Sequence, residues 1–295
     1  MLFLPEGILM AYYLALGFSH LCCVLPAGFC EALGKMLGCL TWPLVPGKRK
    51  RLAKENIMLC LKVDEQEAQR IARASWARFG PMLFEVLRFP VLKKHMADYV
   101  TIEHGEKLRD ALALGRGCVI AAAHSGNWEL QGAALACAGF PIVGVAMKQK
   151  EAAMDRFINA YRRFVGMHIT YKTGVREMFQ MLQKGWSIGL IMDQDTSRHD
   201  GVVLDFFGRP TNCVVGPASI ARFRDVPILP IFITREANGH HRILVHDAVF
   251  VQKTKDKQED IRRTTAKLTK IIEEHIRKYP EEWFWLHDRW KSMRK

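Results

Sequence analysis

From about Tyr99 onward the chain alternates short apolar runs with segments of helical period, and this rhythm restricts the fold more than any other feature. Strands are expected at residues 100–102, 117–123, 142–146, 168–171, 187–192, 228–233 and 243–245. Helices are expected at residues 106–114, 127–138, 154–164, 175–183 and 257–278. Strands separated by helices join through crossovers, so the expected class is α/β: a mostly parallel sheet flanked by helices on both faces. Pro230 lacks an N–H, which assigns its strand to an edge or an irregular stretch. Ahead of this part, residues 50–61 and 64–89 carry apolar side chains at three- and four-residue spacing and read as helices. The second is expected to stop at Phe89-Pro90.

Charge is spread unevenly. The 295 residues include 43 Lys and Arg against 30 Asp and Glu, a net charge of +13, yet the charged residues before Lys48 are Glu6, Glu31 and Lys35. Residues 8–25 are almost wholly apolar, broken by Ser19 and His20, and are just about long enough to cross a bilayer. No basic run precedes them and no clear cleavage site follows, so the segment reads as an anchor and not a signal peptide. Residues 32–45, with Gly34, Gly38 and Pro43, read as interfacial, and Gly47-Lys48-Arg49-Lys50-Arg51 suits anionic headgroups on the cytoplasmic side. The same residues also suit a buried helical hairpin. The expected division is an N-terminal helical membrane anchor over residues 1–47 and a catalytic domain over 48–295.

The basic excess implies an acidic partner, and the absence of any nucleic-acid motif points away from nucleic acid and toward a membrane or an acidic protein. None of the eight cysteines forms a C-x-x-C pair and most lie in apolar runs. Buried free thiols on the reducing side of a membrane are expected, not disulfides or zinc.

Residues 117–129, GCVIAAAHSGNWE, concentrate the chemistry. An apolar strand delivers His124 to its carboxyl end, where open α/β sheets hold their ligands. Ser125, Gly126 and Asn127 supply a tight turn and a helix cap, and Glu129 falls in the first helical turn. From there its carboxylate is expected to reach back to the His124 ring, fixing the tautomer and supporting an imidazolium. The helix amino end suits a phosphate or an oxyanion. With no G-x-S-x-G elbow, His124 is expected to activate a substrate hydroxyl and not Ser125.

The run from His124 to Glu129 resembles the H-x4-[D/E] signature of glycerolipid and lysophospholipid acyltransferases. The whole chain resembles the bacterial lipid A late acyltransferases. The resemblance rests on His124-Ser-Gly-Asn-Trp-Glu129, Met147-Lys148, Met154-Asp155-Arg156, Gly174, Gly185 and Met192-Asp193-Gln194-Asp195. It extends to Phe206-Phe207-Gly208, Gly216-Pro217-Ala218 and Pro280–Lys291. Lys148 departs from it, standing where many relatives carry Arg. The resemblance implies that His124 is the general base and Glu129 its orienting partner, with no acyl-enzyme and no cofactor or metal. It implies substrate contacts from Ser125, Asn127, Lys148, Arg156, Asp193, Asp195 and Arg289. It further implies an acyl carrier protein as donor, an anionic lipid A precursor as acceptor, and the cytoplasmic face of the inner membrane as location; the alternatives are another lysolipid or glycolipid acceptor, or a non-catalytic basic lipid-binding protein. Read from the residues alone, Asp193-Gln194-Asp195 suits loop ordering or substrate contact better than a metal. Phe206-Phe207-Gly208 suits either packing or an acyl pocket, and Arg289 either phosphate binding or a solvated tail.

Overall fold

The computed structural model describes residues 6–294; residues 1–5 and Lys295, which belong to the two expected domains, lie outside the described residues. The chain opens with α1 (Glu6–Val24) and α2 (Ala27–Leu40). Then come α3 (Gly47–Leu61), α4 (Glu65–Ala77), α5 (Phe79–Leu87) and the short α6 (Phe89–Leu92) and α7 (Met96–Tyr99). Asp64 caps α4, its carboxylate accepting the Glu67 N–H at 2.8 Å. The single helix expected over 64–89 is broken at Arg78. Nor does Pro90 stop the chain's helical course, because it sits in the first turn of α6, where a missing N–H costs nothing.

The first two helices are part of the body. Buried Ser19 donates to the Leu87 carbonyl and is bonded to the Tyr161 hydroxyl, and Arg88 reaches back to the carbonyls of Cys22 and Leu25 at the end of α1. α2 lies against the α4–α5 junction so closely that a Cβ on Gly34 would stand 2.7 Å from the Pro81 nitrogen. A Cβ on Gly38 would overlap the Ala77 carbonyl. Only glycine permits that approach. The outer faces are apolar: Leu14, Phe18, Leu21 and Val24 on α1, and Phe29, Met36 and Leu40 on α2, are all exposed. Among the described residues no helix is long and apolar enough to cross a membrane. The expected spanning segment is not confirmed; Ser19 of α1 and the glycines of α2 hold the inner faces of the two helices against the protein.

The α/β part runs β1 (Val100–Glu103), α8 (Gly105–Ala113), β2 (Cys118–Ala122), α9 (Trp128–Cys137), β3 (Ile142–Ala146), α10 (Ala152–Phe164) and β4 (His168–Tyr171). It continues with α11 (Val175–Gln183), β5 (Ser187–Ile191), β6 (Gly201–Phe206), β7 (Arg209–Val214) and α12 (Gly216–Arg224). Last come β8 (Ile228–Arg235), β9 (His241–Val245) and α13 (Lys257–Lys278). The main sheet has the order β1-β9-β8-β2-β5-β3-β4, and every pairing except β8–β9 is parallel. Alternate residues of β2 feed two cores: Val119 and Ala121 pack with α3, α4 and α13, while Cys118 and Ile120 pack with α5, α8 and α9. All five residues of β2 are buried, as a parallel strand covered on both faces requires.

Pro230 lies in β8, between β2 and β9, and not on an edge. It is tolerated there because its nitrogen faces the β9 side, where pairing begins only at Ile231 opposite Val245. Its carbonyl still accepts the His246 N–H at 3.0 Å. β6 and β7 form a separate hairpin whose two turn residues, Phe207 and Gly208, both have positive φ (57° and 75°). Phe206 and Phe207 are buried against Trp283, Trp285 and Trp290 of the C-terminal segment, so this block packs the interior. All eight cysteines are free, and Cys22, Cys30, Cys60, Cys118 and Cys213 are buried.

Candidate functional site

The site forms where β2, β5 and β8 end side by side. The parallel register pairs Ala122 with Ile191, so two residues further on His124 stands beside Asp193. Asp193 is almost fully buried, and its carboxylate accepts the His124 backbone N–H at 3.0 Å, the His124 Nδ1 at 2.9 Å and the Trp283 Nε1 at 2.7 Å. Burial alone would raise this carboxyl. The neighbouring His124 and the bonds from His124 and Trp283 outweigh burial and hold it at about 2. An ionised carboxylate only accepts, so Nδ1 carries the hydrogen and Nε2 is left as the basic nitrogen. The His124 ring is partly exposed and meets Trp128 edge-on at 4.9 Å between centroids.

The turn after His124 is held from several sides. Gly126 has φ +61°, and a Cβ there would overlap the Ile233 carbonyl of β8, so both conformation and space demand glycine. Its N–H donates to the Glu282 carbonyl at 3.0 Å, and the Phe284 N–H donates to the His124 carbonyl at 3.1 Å. Arg78 adds two further donations, Nη1 to the Gly126 carbonyl at 2.6 Å and Nη2 to the His124 carbonyl at 3.3 Å. Asn127 caps α9 through the Leu130 N–H at 3.0 Å and donates to Glu85 at 2.7 Å. Ser125 is buried with its Oγ 3.0 Å from Nε2 of His275, whose imidazole burial pushes down to about 3.

The expected reach of Glu129 back to the imidazole is not what the structure has. Glu129 points to α10, where Arg162 grips it with two bonds, Nε to Oε2 at 2.8 Å and Nη2 to Oε1 at 2.6 Å. The position beside Nδ1 belongs to Asp193, which the sequence had assigned to substrate contact. Ser125 and Asn127 also have their side chains engaged within the protein. Arg289 is 1% exposed, with its guanidinium donating to Thr211 Oγ1, the Asn212 carbonyl and Cys213 Sγ and lying 5.0 Å over the Phe206 ring. It is neither a solvated tail nor open to a phosphate. Asp195 orders the C-terminal segment, accepting from Ser292 N at 2.9 Å and Oγ at 2.6 Å, while its own N–H donates to His287 Nε2 at 3.2 Å.

Two candidates face outward. Lys148 is exposed in the loop after β3, a loop ordered by Asp155, which accepts the Gln149 N–H at 2.9 Å. Arg156 is exposed on α10 with its guanidinium 4.7 Å over Tyr12 of α1. Sequence reasoning passed over Arg78, Trp128, His275 and Glu85. Of these, only Trp128 lay inside a recognised block, and Trp283 was quoted without a role.

Comparison with known proteins identifies the family. The profile of the bacterial lipid A biosynthesis acyltransferase family matches residues 3–292. A phosphatidylinositol mannoside acyltransferase of Mycolicibacterium smegmatis is 29% identical over 75% of this chain and 72% of its own length. A Mycobacterium tuberculosis protein of the same name is 30% identical over 74% and 69% respectively. The lipid A biosynthesis lauroyltransferase of Escherichia coli is 23% identical over 95% of this chain and 91% of its own. An O-acyltransferase acting on lipid substrates, the chain belongs to the bacterial lipid A biosynthesis acyltransferase family.

Proposed function

We propose that the chain transfers a fatty acyl group from a thioester on an acidic carrier protein to a hydroxyl of a lipid A precursor at the inner membrane. The observation that carries this reading is the His124–Asp193 pair at the carboxyl end of β2. Nε2 takes the acceptor proton as the hydroxyl oxygen bonds to the thioester carbonyl carbon. The C–S bond then breaks, and the departing thiolate receives the proton from the imidazolium. Asp193, ionised and fixed by Trp283, orients the ring and offsets its transient charge. An acyl-enzyme on Ser125 has no support, because its hydroxyl is turned to His275. Glu129 with Arg162 braces α9 against α10 beside the site.

The exposed apolar faces of α1 and α2, followed by exposed Lys48, Arg49 and Arg51 at the start of α3, support contact with an anionic bilayer in its plane. The 29–30% identity to the two mannoside acyltransferases favours a second reading, in which the acceptor is a mannosylated phosphoinositide. Incubating the purified chain with acyl carrier protein thioester and each acceptor, and reading the products by mass spectrometry, separates the two. Transfer to the lipid A precursor is the expected result. Transfer to the mannoside alone selects the second reading, and transfer to neither overturns both.

A further inference from the structure

We infer that Arg78 is a positioning residue for the base: it fixes the turn that carries His124 and thereby the direction of the imidazole. This rests on the reading of His124 as the base. Arg78 stands between α4 and α5. Each terminal nitrogen donates one hydrogen to the turn, at 2.6 Å to the Gly126 carbonyl and 3.3 Å to the His124 carbonyl. Its Nε is buried without a partner. Burial pulls the guanidinium down to about 10 against the opposing pull of Glu282 and Asp193, so it is still charged at neutral pH. A half-buried cation whose Nε is shut away from water and unpartnered is a costly way to brace a loop that apolar packing could brace. What the guanidinium supplies instead is a rigid fork spanning two carbonyls two residues apart, which neither a point charge nor an alkyl chain can copy.

The same group reaches the ring by a second route. Its plane lies 4.7 Å over Phe79 and 5.8 Å over Trp128, and Trp128 is the aromatic that meets the His124 ring edge-on. His124 is therefore fixed at Nδ1 by Asp193, at its carbonyl by Arg78 and Phe284, and at its ring face by a tryptophan that Arg78 backs. These restraints come from four places: the end of β5, the α4–α5 break, the C-terminal segment and the first turn of α9. Withdrawing Arg78 leaves the Asp193 bond available but lets the turn rotate about it, so that Nε2 points away from the acceptor hydroxyl.

The test uses the full chain with Arg78→Lys and Arg78→Met. It measures kcat and KM for acyl transfer, the melting temperature, and the slowly exchanging proton NMR signal of His124 Nδ1–H held by Asp193. Lysine reaches one carbonyl and methionine none, so kcat should fall about tenfold and about a hundredfold respectively while KM stays within about twofold. The Nδ1–H signal should broaden in the same order. Wild-type kcat in folded Arg78→Met overturns the inference. So does a rise in KM at unchanged kcat, which would make Arg78 a substrate contact, or a fall in kcat with an unaltered Nδ1–H signal. If Arg78→Met does not fold, Arg78→Lys decides by the same readouts. His124→Ala separates this inference from its premise: turnover in that variant overturns the base assignment, whereas an inactive His124→Ala beside a fully active Arg78→Met overturns the inference alone.

Discussion

The turn from His124 to Asn127 and the pair of helices α1 and α2 both rest on glycines pressed against backbone, yet they treat their remaining surface in opposite ways. In the turn, His124 Nδ1, Ser125 and Asn127 each have a named partner, and the carbonyls of His124 and Gly126 are both held by Arg78. On α1 and α2 the inner faces are bonded through Ser19, Arg88 and Glu31, while the outer faces present Leu14, Leu21 and Leu40 to the surroundings. A site that must aim a proton acceptor needs its atoms fixed in direction. The surface proposed to meet lipid would need only apolar area and some positive charge, neither of which is directional.

The contrast breaks most visibly at the dyad. His124→Ala is expected to lower kcat by about two to four powers of ten in a folded protein, and Asp193→Asn by a comparable factor. Glu129→Gln should cost less than Asp193→Asn, since it leaves the Nδ1 pairing untouched; the reverse ranking in the same assay would return the orienting role to Glu129. On the helical side, Gly38→Val forces α2 off Ala77 and should destabilise the fold by about 1–3 kcal/mol in urea unfolding. Deleting residues 1–47 should likewise give an aggregating protein, because it strips the cover from Phe84, Leu87 and Arg88. A monodisperse, stable truncation would restore the picture of a detachable anchor.

Acid sharpens the contrast. Buried His275 stays neutral down to about 3, whereas an unfolded imidazole protonates near 6.5. The unfolded chain therefore binds the extra proton as pH drops, so this contribution to stability is complete above 6.5 and is lost progressively toward 3. Between about pH 7 and about pH 5 the loss from this group should be on the order of 2 kcal/mol, and His275→Gln should flatten that slope. The smallest effect on stability is expected for Leu14→Glu combined with Leu40→Glu, within about 0.5 kcal/mol per site because both are exposed. The same pair should strongly reduce co-flotation with anionic vesicles. Unchanged flotation would move membrane contact to another face.

How much of this was legible depended on whether the governing contacts were local. β3, β4, α11 and α13 follow from periodicity within their own residues, and the sequence reading places them at their observed limits. The hairpin of β6 and β7 escaped notice because its turn is Phe207-Gly208, which reads as part of an apolar block, and because Pro210 interrupts the second strand. Pro230 misled for a related reason: an edge is inferred from a missing N–H, but what matters is whether the neighbour on that side is still paired. Within the site, His124 was legible from its strand-end position, and Glu129 was a sensible partner on spacing. Asp193 is 69 residues away, and only the adjacency of β2 and β5 brings it to the ring. Apolar content alone likewise could not tell a helix laid on protein from one threaded through lipid. Ser19 and the close-packed glycines, the exceptions to that apolar content, mark the faces that meet the protein.

The bond from Trp283 to Asp193 has a consequence in time. Trp283 follows α13, so a ribosome makes it long after both His124 and Asp193 have been paid out. Until this last stretch docks, the carboxylate lacks its indole donor, the turn lacks the Phe284 and Glu282 backbone contacts, and the hairpin lacks the tryptophans that fill beneath it. Nascent chains would thus be silent until the stretch after α13 has been made and closes over the sheet.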